Sequence, residues 1–152
     1  MSYISEINKV YLKIYTFLST AGIKNLRNFG IKFYKKAIPA PIETTQCPII
    51  SIFKTEISGS EIVKDQFELQ LPKNLKVIIG FADFSQVDLD DAEKYTDDLI
   101  DKVIEKLREN PTLDDLVKGI TVSRFLFDWD AKDNAWFSLP SMELELVTIE
   151  PD

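Results

Sequence analysis

Residues 88–111 read DLDDAEKYTDDLIDKVIEKLRENP. Ala92, Tyr95, Leu99, Val103, Ile104 and Leu107 recur at spacings of three and four, which predicts an amphipathic helix over residues 89–109. Asp88 is placed to cap its start. Asp90, Asp91 and Glu93 load the first turn with negative charge, where the helix dipole favours it. Lys106 and Arg108 occupy the last turn, and Asn110-Pro111 stops the helix. What lies on either side of this helix decides the fold class.

Upstream, Leu75–Phe84 is a β run, with Gly80 as a candidate bulge. Before it, Phe67, Leu69 and Leu71 alternate with Glu68 and Gln70, the period of a half-buried strand, and Pro72-Lys73-Asn74 interrupts the pattern. Ile49-Ile50-Ser51-Ile52-Phe53 opens the strand material, and Ser58-Gly59-Ser60 marks a loop within residues 57–64. Downstream, residues 112–117 form one further helical turn. Residues 119–129 and 136–149 read as strands, joined by the polar turn 130–134 and paired as a hairpin. At the N-terminus, Ile4, Ile7, Val10, Tyr11, Ile14, Phe17 and Leu18 define a helix over residues 3–18, capped by Ser2 or Ser5 and ended by Gly22. Residues 23–47 are irregular, with short strand character around residues 29–34. The order is α, loop, β, β, α, β, β. Helices and strands do not alternate regularly, so the expected class is α+β: a mainly antiparallel sheet with both helices packed on one face.

Composition bounds the function. The chain has 152 residues, 45% hydrophobic and 28% charged, which suits one globular domain with a sizeable core. No apolar run approaches the roughly 20 residues that span a bilayer. No basic stretch followed by an apolar one opens the chain, so the expectation is a soluble intracellular protein. Histidine is absent, which removes the commonest general base and transition-metal ligand. The single cysteine, Cys47, excludes an intrachain disulfide and a thiolate zinc site. Net charge is −7, unevenly spread: residues 1–42 hold seven basic residues and one acid, and residues 43–152 hold eleven basic and twenty-four acidic. Segregation of this kind suits head-to-tail self-association or docking on charged protein surfaces.

Each candidate for chemistry has a plainer reading. The acidic series Asp83, Asp88, Asp90, Asp91, Glu93, Asp97, Asp98 and Asp101 offers oxygens to a divalent cation, but its spacing is not that of a calcium loop. Helix capping and a solvated helix face account for most of it. An enzyme built on this series would use Asp83, Asp88 and Asp91 as metal ligands. The basic stretch of residues 24–36, interleaved with Phe29, Phe33 and Tyr34, has the composition of a nucleic-acid contact. The sequence pI near 4.7 and the lack of any recognisable nucleic-acid motif favour a protein-facing loop instead. Cys47 has no basic neighbour to activate it and reads as inert. The glycines are too scattered for a phosphate loop. Trp129 and Trp136 flank the final turn as packing residues, although an exposed tryptophan there is a good interface anchor. The segment 46–71 reads either as an arm reaching a neighbouring subunit or as a surface loop.

One succession of motifs points to a family. Glu109-Asn110-Pro111-Thr112-Leu113-Asp114-Asp115-Leu116-Val117 closes a helix and opens a strand. That strand leads into the Asp-rich turn of residues 128–137 and then an alternating last strand. Upstream, Cys47-Pro48-Ile49-Ile50-Ser51-Ile52-Phe53 precedes a variable loop and a second strand. Over residues 3–150 this order resembles the tail terminator proteins of long-tailed bacteriophages, with a basic loop at residues 23–41 that is longer and more lysine-rich than the family pattern. The resemblance implies a structural virion protein, with no catalysis and no cofactor. It would form a ring, hexameric when assembled, on the last ring of the tail tube, stop tube polymerisation and present a surface to the head connector. Its partners would be copies of itself, the tube protein and the connector. Its place would be the head-proximal end of the tail, after assembly in the host cytoplasm. On that reading the interface residues are Lys24, Arg27, Lys32, Lys35 and Lys36, for electrostatic complementarity, and Ser58, Gly59 and Ser60 as an inter-subunit arm. A head–tail connector is the alternative structural role.

Overall fold

The run of apolar residues before the long helix forms the central strand of a sheet. The computed structural model describes residues 3–58 and 74–148. Among these residues two α-helices, α1 (Tyr3–Ser19) and α2 (Leu89–Glu109), accompany seven strands: β1 (Lys32–Tyr34), β2 (Ile49–Ser58), β3 (Asn74–Ser85), β4 (Val117–Leu126), β5 (Trp129–Lys132), β6 (Ala135–Ser138) and β7 (Ser141–Thr148). The class is α+β. The sheet is mixed but mostly antiparallel, because only the short β1 runs parallel to its neighbour β2.

β3 organises the rest. One edge pairs with β2 along its whole length, from Ile49↔Ala82 to Ser58↔Asn74. The other edge is shared: residues 74–80 pair with β7, and residues 83–85 pair with β6. The sheet therefore forks, with β7–β4 on one branch and β6–β5 on the other. Pro140 follows β6 and marks the fork. Its carbonyl accepts from the Phe81 N–H at 2.9 Å, and the chain then re-enters the sheet as β7.

Alternation along β3 sorts the faces. Leu75, Val77, Ile79 and Phe81 are buried beneath both helices, together with Ile50 and Ile52 of β2 and Met142, Leu144 and Leu146 of β7. α1 contributes Ile7, Val10, Tyr11, Ile14 and Leu18 to this core, and α2 contributes Leu99, Val103 and Leu107. Both helices thus cover the same face. Tyr11 donates its hydroxyl hydrogen to the Ile52 carbonyl at 2.7 Å, so a buried polar tip is satisfied. The opposite face is charged around Lys76, which contacts Glu56 at 2.7 Å with Glu143 and Glu145 nearby. Towards β1 that face is covered by a second cluster of Ile42, Cys47, Ile49, Ala82, Ala135 and Phe137.

Several local expectations change. The strand expected at residues 49–53 continues to Ser58, so residues 49–58 belong to the sheet rather than to an arm. Gly59 and Ser60, most of the expected loop, the expected strand at residues 67–71 and the cap candidate Ser2 lie outside the described residues. Gly80 is not a bulge, since it stays in register with Ser51 and Ser141. A Cβ there would lie 2.8 Å from the Ser51 Oγ and 3.2 Å from the Ile38 Cγ1, so glycine is needed where the 35–47 segment crosses the sheet. The bulge falls between Lys54 and Glu56. The turn after α2 is left-handed, with φ of 48°, 57° and 68° at Leu113, Asp114 and Asp115. Asn110 Oδ1 and Thr112 Oγ1 accept from the Asp114 and Asp115 N–H groups and hold this turn, which side chains of that size disfavour. The final hairpin is real as β4–β7, but its expected turn is itself a smaller hairpin, β5–β6. Asp133 and Asn134, at φ of 51° and 61°, make its two-residue connection.

Candidate interaction surface

Among the described residues β4 pairs with β7 on one side and with no strand on the other. Where β4 ends and the chain crosses to β5, it reads Arg124-Phe125-Leu126-Phe127-Asp128-Trp129, with apolar residues in succession instead of alternation. Both faces of β4 are exposed from Thr121 to Leu126. Leu126, Phe127 and Trp129 are 49%, 76% and 57% exposed. The Phe125 and Phe127 rings stack with centroids 6.4 Å apart. They line a groove of about 280 Å³ with Asp97, Ile100 and Asp101 of α2. Open edges and exposed aromatic clusters are normally covered by a partner. Trp129, expected from the sequence to pack, is instead exposed.

The five basic residues singled out in the sequence have different neighbours. Arg27 is structural. Its guanidinium pairs with Asp83, which is fully buried, and lies 4.8, 5.1 and 4.0 Å from the ring centroids of Phe29, Phe84 and Tyr95. Such a box holds a cation by ring electrostatics and desolvation. Burial pushes the Asp83 carboxyl up from its ordinary 3.8, against the downward pull of the Phe84 N–H and of Arg27. Lys32 donates to the Thr45 carbonyl. Lys35 lies 4.9 Å from the Tyr15 ring centroid. Lys24 and Lys36 are exposed. Lys24 lies beside α2, where its carbonyl accepts from Lys102. Of the proposed arm, Ser58 ends β2.

The three carboxylates of the metal-enzyme alternative are used separately. Asp83 binds Arg27, Asp88 caps α2 by accepting from the Asp91 N–H at 2.8 Å, and Asp91 accepts from the Ser85 hydroxyl at 2.7 Å. Among the described residues no three carboxylate or thiol groups gather as a metal site. No described helix is long and apolar enough to cross a membrane. The Cys47 thiol is buried, and burial with the nearby Asp83 charge pushes it up to about 12. The aromatics of the basic stretch are also engaged: Phe29 lies against Arg27, and Phe33 and Tyr34 pack on the two apolar clusters.

Two features escape the sequence reading, and both left a trace in it. Asp83 is an acid inside an apolar strand, which requires a buried partner. The Phe125–Phe127 run breaks the two-residue period of its strand. Searches with the whole chain found no matching protein-family profile and no matching curated protein.

Proposed function

We propose that this chain is a bacteriophage tail terminator: a ring-forming structural protein that caps the tail tube, ends its polymerisation and offers the joining surface for the head. The observation that carries this reading is the exposed aromatic run 125–129, beside the β4 edge that no described strand covers. A surface of that kind is suited to assembly, because covering it with another protein removes apolar area and an unpaired strand edge from water together. The order of elements on which the family resemblance rests supports the same reading, with its helix ending at Pro111, strand, Asp-rich turn and last strand. So does the segregation of charge between residues 1–42 and the remainder, which suits heterologous contacts, the kind from which rings are built when the rotation closes.

The test is reconstitution with the tail-tube protein of the same genome. Purified chain added to polymerising tube protein should shorten the tubes in proportion to its concentration and decorate one end in negative-stain images. Tubes that grow to the same lengths with and without it would contradict the reading. Tubes of unchanged length that nevertheless acquire heads only when it is present would favour the connector role instead.

A further inference from the structure

Two flanks of α2 carry surfaces of opposite character. Tyr95, Asp98 and Lys102 lie on one flank, and Asp97, Ile100 and Asp101 lie on the other, roughly a third of a turn to either side of the buried stripe. The first flank is joined by the 24–29 segment, through Arg27 on the Tyr95 ring and Lys102 on the Lys24 carbonyl. There Leu26 and Phe29 stand half exposed, at 50% and 49%, beside the exposed Lys24. The second flank holds the groove between α2 and β4, floored by Ile100, Phe125 and Phe127 and rimmed by the exposed Asp97 and Asp101.

We infer that Leu26 and Phe29 of one copy seat in the Phe125–Phe127 groove of the next, with Lys24 facing Asp97 and Asp101. The occupant is a second copy of this chain because the two surfaces match in kind. One is an apolar projection with a cation, and the other is an apolar recess with two anions. Burying ring against ring provides the contact energy, and the charges set orientation and reject the mirror pairing of groove with groove. The surfaces lie on opposite flanks of a single helix, so each copy uses both at once. That is a head-to-tail contact, which generates a ring when its rotation closes. The inference rests on the ring reading above and gives that ring its subunit contact.

Disulfide trapping tests it. The full chain carrying Leu26→Cys and Phe127→Cys is oxidised at its highest soluble concentration, or on tube ends, and run on non-reducing gels. Both replaced side chains are exposed, and the native Cys47 is buried. The expected result is a reducible ladder of multimers from the double variant, and none beyond a dimer from either single variant. Asp97→Lys with Asp101→Lys should weaken association at least about tenfold, equivalent to ~1.4 kcal/mol. Monomer alone from the double variant overturns the contact. So does unchanged association of the charge-reversed chain. If light scattering shows wild-type rings while no ladder forms, this contact fails and the ring stands. If the ladder forms but tails lacking the protein are normal, the terminator reading fails and the contact between copies stands.

Discussion

Replacing Arg27 by Met should expose how much of the fold rests on one buried pair. Asp83 is fully buried. Its Oδ1 accepts from Arg27 and from the Phe84 N–H at 2.9 Å, and its Oδ2 has no hydrogen-bond partner. Without the guanidinium, the carboxylate must stay charged beside a single N–H or take up a proton. Protonation caps the loss: at pH 7, with an ordinary value of 3.8, it costs about 4 kcal/mol, at about 1.4 kcal/mol per pH unit. The three ring contacts to the guanidinium add about 1–2 kcal/mol. The Asp83 carboxyl is already raised in the folded chain, and removing Arg27 raises it further. Stability tied to a raised group is present below its unfolded value and lost as pH rises through its folded value. The deficit of Arg27→Met should therefore shrink as pH falls, from at most about 5 kcal/mol at pH 7 to at most about 3 kcal/mol at pH 5, since the wild type already bears part of the cost of a raised Asp83. Adding Asp83→Asn to that variant should restore about 2 kcal/mol at pH 7 and little at pH 5. Urea unfolding of the four chains at both pH values measures this coupling. Additive costs that do not change with pH would refute the buried-pair account.

Other substitutions probe the remaining architecture. Gly80→Ala should cost about 1–3 kcal/mol from the crowding at Ser51 and Ile38, and Ser51→Ala should recover part of it in thermal melts of the double variant. Asp88→Ala removes the α2 cap and should cost about 1 kcal/mol in the same melts. Cys47 should resist thiol reagents at pH 8 until the chain unfolds, and rapid labelling of the native protein would contradict its burial. Phe127→Asp should leave the unfolding midpoint nearly unchanged, because the ring is exposed, while reducing association seen by light scattering at least about tenfold.

The helices were legible because their signals are local. The three-and-four spacing, the Asp88 cap and the Asn110-Pro111 stop all act within one element. The class followed from element order. What the sequence concealed depends on contacts between distant residues. Nothing near Arg27 indicates that Asp83 lies against it, since the pair is separated by 56 positions. The fork at β3 needs a strand long enough to serve two neighbours, and Pro140 is its one local sign. The left-handed turn at residues 113–115 has no glycine to announce it and depends on the caps from Asn110 and Thr112. For the same reason the sequence does not show the different neighbours of the five basic residues. Arg27 turns inward, Lys32 and Lys35 bind local groups, and Lys24 is carried to the flank of α2.

We propose that this chain works by covering a growing end. Electron microscopy of tails assembled in a strain lacking it tests that claim most directly. Tubes of uncontrolled length without attached heads are the predicted result, and tails of uniform length joined to heads would contradict it.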